Sequence, residues 1–169
     1  VKTIVADPVM VSRSGDKLLD DDTIATIRTS LLPLATILTP NRYEAQLLAG
    51  IEIQDVYDMK TAARKIVDHG GVSTVLVKGG GLAGTTCGTD VWFDGTTLRE
   101  LKTEYIDTTN TNGTGCSLSA SIAANLANGM DTLESIRRAK LYITKGLKGS
   151  LEIGRGKGPI CHFHPLFKN

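Results

Sequence analysis

Short, β-branched apolar runs alternate along this chain with stretches whose apolar residues recur every three to four positions, and that alternation restricts the fold most. Residues 1–9 (VKTIVADPV) read as a buried strand ending on Asp7-Pro8, and a turn is expected around Ser14-Gly15-Asp16. Ile24, Ile27, Leu31 and Leu32 then fall at helical spacing behind acidic residues, which predicts a helix over 21–32. The pattern continues as a strand at 36–39 (TILT), helices at 41–48 and 57–69, and a strand at 73–78 (STVLVK) closed by Gly79-Gly80-Gly81. Strands separated by helices imply a mostly parallel sheet covered by helices on both faces, an α/β fold whose ligands gather at the carboxyl ends of the strands.

Residues 89–106 break the rhythm. Two strand-like runs, DVWF and TLRELKTEYI, flank Asp94-Gly95, a strong short-range hairpin signal, so an antiparallel hairpin is expected at the sheet edge. Helices follow at 115–128 and 132–146, and then a glycine-rich tail, GRGKGP. No internal repeat or linker interrupts the 169 residues, which suit one domain.

Composition narrows the class of function. A formal net charge of +1 supplies no long-range field for nucleic acid or an anionic membrane, so any anion must be held locally. The hydrophobic share of 41% and charged share of 22% are those of a folded soluble protein. No apolar stretch is long enough to span a bilayer and no signal-like segment opens the chain, which reads as cytoplasmic. Cys87, Cys116 and Cys161 are odd in number and irregularly spaced, which fits reduced thiols better than disulfides or a zinc site. The first residue is Val1, directly on a strand-like run, and an upstream segment is expected.

Residues 110–126 (NTNGTGCSLSASIAANL) carry a glycine-rich turn into a helix of small residues. Helix N-termini present unpaired N–H groups and partial positive charge, so this one is a candidate phosphate cradle, with Gly113 and Gly115 allowing close approach. Cys116 falls in the first turn, where the helix dipole favours a thiolate able to accept a proton. The same pattern also describes a tight turn and a helix whose Cys116, Ala120 and Ala123 are small for close packing. Asn41 and Glu44 (TPNRYEA) have the spacing of an ordinary capping box, and equally of a phosphate and magnesium site. Lys78, followed by Gly79, ends a buried strand and suits a nucleotide phosphate, or solvent at a loop edge. Asp7 suits a cation, or a turn cap. The cluster Cys161-His162-Phe163-His164 has no second cluster to complete a metal site, and His69 fits a helix C-terminus.

Taken in order, DPVM with SGD, TPNRYEA, LVKGG and NTNGTGCSLSASIAA make the chain resemble the hydroxymethylpyrimidine and phosphomethylpyrimidine kinases of thiamine biosynthesis, within the ribokinase-like superfamily. The resemblance implies a ribokinase-like domain seen from its C-terminal part, without its first βα units, and ATP-dependent phosphorylation of a small-molecule pyrimidine and its monophosphate. It implies ATP and Mg2+ as cofactors, Asn41 and Glu44 at the magnesium–phosphate region, and Lys78 on a phosphate. It assigns Gly113, Thr114 and Gly115 to an anion hole, Cys116 to the catalytic base, and the GRGKGP tail to the nucleotide side. A homodimer is compatible with it; nucleic acid and membrane partners are not expected. Asn112 stands where the family usually has histidine, Ser117 where it has threonine, and Gly81 where histidine is common. Pyridoxal kinase is the nearest alternative, and a phosphate-binding module without turnover is another.

Overall fold

The computed structural model describes residues 3–12, 15–82 and 86–166, which form two compact units, Val1–Lys102 and Thr103–Asn169. In the first unit, five strands follow chain order across one sheet: β1 (Val5–Ala6), β2 (Ile37–Leu38), β3 (Thr74–Val77), β4 (Asp90–Phe93) and β5 (Leu98–Leu101). The first three are parallel, with Val5 opposite Ile37 and Ile37 opposite Thr74; β4 and β5 are antiparallel. The expected mixed α/β fold, mostly helix-linked parallel strands with a hairpin at one edge, is therefore present.

β3 and β4 are buried along their whole length. Leu38, Val75, Val77 and Val91 meet Met59, Ala62, Ala63 and Ile66 of helix α3 (Val56–Gly70) in one apolar cluster. The side chain of Asp55 caps α3 by accepting from the Asp58 N–H, and Gly71 ends it in the left-handed conformation. Helix α2 (Arg42–Ala49) starts four residues after the end of β2 and also packs on α3.

Several expected boundaries shift for physical reasons. The strand over 1–9 is paired only at Val5–Ala6, and its first two residues lie outside those described. The helix over 21–32 is α-helical only as α1 (Asp21–Thr26); a π turn (Ile27–Leu31) and a 3-10 turn (Leu32–Leu34) follow. Pro33 has no N–H for the helix ladder, and the Thr26 and Thr29 hydroxyls donate back to the Asp22 and Ala25 carbonyls, competing with the backbone pattern. The apolar stripe consequently drifts: Ile24 and Leu32 are buried but Leu31 is exposed. The hairpin loop is longer than a two-residue Asp-Gly turn, because Phe93 pairs with Leu98 and the Asp94 carboxylate accepts from the N–H groups of Thr96 and Thr97. The second strand ends at Leu101 rather than 106. Of the turn at 14–16, Ser14 lies outside the described residues, and Ser12 and Asp16 bond to each other around it.

The second unit is built on helices α4 (Thr114–Ala127) and α5 (Thr132–Lys148), which pack on each other. Leu118 and Ile122 of α4 and Ile136 and Ala139 of α5 are buried, and Asn125 donates to the Ser135 carbonyl. Ala120 and Ala123 are exposed.

Leu38 is fully buried and Leu34 is 64% exposed. Leu38→Ala should lower the unfolding free energy by about 2–5 kcal/mol in urea titration, and Leu34→Ala by no more than about 0.5 kcal/mol.

Candidate functional site

The carboxyl ends of β1, β2 and β3 bring together residues far apart in sequence. Asp7 follows β1, Thr39 follows β2 and Lys78 follows β3. Lys78 Nζ donates to Asp7 Oδ1 at 2.8 Å, with both side chains about one-sixth exposed (16% and 17%). Thr39 Oγ1 lies 3.2 Å from the same oxygen and 3.3 Å from the Ala6 carbonyl, so β2 joins the pair that spans its two neighbours. The Lys78 N–H donates to the Pro40 carbonyl at 2.9 Å, which fixes where its side chain leaves the sheet.

Asn41 and Glu44 form a complete capping box: the Glu44 N–H donates to Asn41 Oδ1 at 3.0 Å, and the Asn41 N–H to Glu44 Oε2 at 2.7 Å. Glu44 is only 2% exposed. Burial pushes its carboxyl above the usual glutamate range; the Asn41 N–H, the Lys78 charge and the Met10 N–H pull it back, and the Asp7 carboxylate adds to the rise. The capping glutamate is therefore also a second carboxylate within electrostatic reach of Lys78.

Gly79 occupies a position where a Cβ would run into the Thr89 carbonyl oxygen, and its N–H donates to Asp90 Oδ1 at 2.9 Å. Its backbone amide is thus committed to a carboxylate of the hairpin. Arg42 stacks over the Tyr43 ring, 4.6 Å from its centroid, and Nη2 donates to the Tyr43 hydroxyl at 2.8 Å.

In the second unit, Gly113 is the N-cap of α4, with φ 82°, and Thr114, Gly115 and Cys116 form its first turn. The Ser117 N–H is the first to reach back into the helix, to the Gly113 carbonyl at 2.9 Å, so the Gly115 and Cys116 N–H groups have no intrahelical acceptor. Cys116 is exposed. Such a terminus can hold an anion and offer a thiol beside it.

The tail runs back to this turn. Asn110, 4% exposed, accepts from the Gly158 N–H at 3.0 Å, and a Cβ at Gly158 would strike that same Asn110 oxygen. Asn112 Nδ2 donates to the Lys157 carbonyl at 2.6 Å, and Asn112 pairs with Pro159 as a short parallel bridge. His69 Nδ1 lies 3.1 Å from the Lys65 carbonyl in the last turn of α3, as its position suggested. His162 and His164 pack against Tyr142, whose hydroxyl lies 3.0 Å from His162 Nδ1. Sequence reasoning missed Thr39, Asp90 and Asn110. Thr39 was legible as a polar residue closing a buried strand, whereas Asp90 and Asn110 act through partners distant in sequence.

The sequence profile of the phosphomethylpyrimidine kinase family matches residues 1–161. A hydroxymethylpyrimidine/phosphomethylpyrimidine kinase of Synechococcus elongatus is 55% identical over 96% of this chain and 62% of its own length. Among solved structures, an ADP complex of Bacillus subtilis pyridoxal kinase superposes with a TM-score of 0.90 at 38% identity, covering 99% of this chain and 63% of that one. A phosphomethylpyrimidine kinase from Clostridium difficile gives 0.73 at 37%, covering 85% and 57%. The chain thus spans about three-fifths of the length of these proteins. No helix of the described residues is long and apolar enough to cross a membrane.

A carboxyl whose folded pKa is raised holds its proton longer in the folded state than in the unfolded one, so Glu44 makes stability fall as pH climbs from the ordinary glutamate value through the raised one. Unfolding free energies measured across that window should decline more steeply for the natural chain than for Glu44→Gln, whose amide keeps an acceptor for the Asn41 N–H.

Proposed function

Since the chain belongs to the phosphomethylpyrimidine kinase family, we propose that its full-length protein transfers the γ-phosphoryl group of ATP to 4-amino-5-hydroxymethyl-2-methylpyrimidine, and then to the monophosphate, in thiamine biosynthesis. On this reading residues 1–169 are the C-terminal portion of one ribokinase-like kinase domain working in the cytoplasm. The observation that most supports it is the start of α4, where Gly113, Thr114, Gly115 and Cys116 set an exposed thiol among N–H groups lacking intrahelical acceptors.

The chemistry follows from those groups. Cys116, as thiolate, accepts the hydroxymethyl proton; the alkoxide oxygen forms a bond to the γ-phosphorus while the bond to the β,γ-bridging oxygen breaks, and ADP leaves. The Gly115 and Cys116 N–H groups hold the phosphoryl oxygens, where donors fixed in advance count most. In the first unit, Lys78 is aimed by Asp7 and Thr39, and an ammonium with three donors retains capacity for a phosphate oxygen beyond Asp7. Asp7 and Glu44 set two carboxylates against the one ammonium of Lys78, an excess of negative charge that fits Mg2+ and disfavours a bare polyphosphate. Mg2+, when bound, supplies positive charge to the phosphate oxygens. Gly79, beside Lys78, allows the close approach of the backbone to the Thr89 carbonyl.

Pyridoxal phosphorylation is the second reading, favoured by the close superposition on the Bacillus subtilis pyridoxal kinase. The higher identity to the Synechococcus elongatus kinase favours the pyrimidine. ATP consumption by the full-length protein with Mg2+ should depend on hydroxymethylpyrimidine and be slower with pyridoxal. A preference for pyridoxal would transfer the assignment to that substrate, and no turnover with either acceptor would leave a phosphate-binding module. Cys116→Ala in the same protein should lower phosphoryl transfer about 100-fold or more while MgADP binding, measured by calorimetry, stays near its original strength.

A further inference from the structure

Two asparagines ahead of the anion turn hold a segment that follows it by more than forty residues. Asn112 Nδ2 reaches the Lys157 carbonyl at 2.6 Å, its N–H reaches the Gly158 carbonyl at 3.1 Å, and its own carbonyl accepts from the Ile160 N–H at 3.2 Å. Asn110 completes the arrangement from a buried position, accepting from the Gly158 N–H at 3.0 Å. Pro159 cannot donate a backbone bond, and Gly158 cannot gain a Cβ without striking Asn110, so the tail segment at 157–160 fits here in one register. Gly113, the N-cap whose conformation sets the direction of the first turn of α4, is the next residue in the chain after Asn112.

We propose that Asn112 is a positioning residue: by clasping the tail to the turn, it fixes the backbone from which Gly113 presents the N-terminus of α4. The inference rests on the kinase reading for its catalytic consequence but on local geometry for the clasp. Asn112 is exposed, and a single exposed hydrogen bond contributes only about 1 kcal/mol to stability. Its removal therefore leaves the fold standing. The phosphoryl-transfer step feels it more, because a displacement of even about 1 Å in a preorganised donor set costs on the order of 10- to 100-fold in rate. What the position needs is an N–H donor. A histidine ring carries one at similar reach, and an alanine carries none.

The test uses the full-length protein and its Asn112→Ala and Asn112→His variants. Asn112→Ala should lower kcat with hydroxymethylpyrimidine on the order of 10-fold or more with KM for ATP within about threefold. It should also quicken amide exchange at Gly158 and Ile160, and Asn112→His should recover both. Unchanged kcat in Asn112→Ala, or a loss that histidine does not reverse, would overturn the positioning role. If the natural protein turns over no pyrimidine, the kinase reading fails separately, and exchange alone decides the clasp: quickened in alanine and restored in histidine sustains it, unchanged exchange refutes it.

Discussion

The ion pair between Asp7 and Lys78 is the contact around which the carboxyl edge of the first unit's sheet is organised. It joins residues 71 positions apart, at the ends of strands that are not neighbours, and it exists only because β2 lies between them in parallel register. Parallel pairing is what puts all three carboxyl ends on one side. Both side chains are largely withdrawn from water, where a lone charge is costly and a paired one is tolerated. Thr39 adds the hydroxyl, and the capping box at the start of α2 delivers Glu44 to the same place, where burial raises its carboxyl pKa. A helix cap and a charge cluster are thus one construction.

The second unit solves a different problem. An anion cradle made of backbone N–H groups needs a rigid approach, and a turn rich in glycine does not supply rigidity by itself. On the proposed reading of this turn, Asn110 and Asn112 supply it by borrowing the tail, where a Cβ on Gly158 would strike Asn110.

What could be read from the sequence was whatever depends on neighbours in the chain. The capping box at Asn41 and Glu44, the length of α3 and the glycine turn into α4 all rest on spacings of a few residues and stand where spacing put them, and the hairpin forms around Asp94 with a longer loop and a shorter second strand than expected. The break after Thr26 was not legible, because threonine back-bonding and Pro33 divide a stripe whose periodicity reads as continuous. Gly79 looked like a phosphate-loop glycine, yet its lack of a side chain answers to the Thr89 carbonyl, ten residues on, and to the Asp90 side chain. Asn112 stands where a histidine is usual and keeps a hydrogen-bond donor, but its partner, the Lys157 carbonyl, lies 45 residues away and was not legible.

The proposal that Asp7 holds Lys78 toward a phosphate is tested most directly by a double-mutant comparison in the full-length protein. Lys78→Met should lose stability by stranding the Asp7 carboxylate, and should lose MgATP-dependent turnover on the order of 100-fold. Asp7→Asn combined with Lys78→Met should recover much of the stability and none of the turnover. Turnover retained in Lys78→Met, or restored in the double variant, would contradict the account.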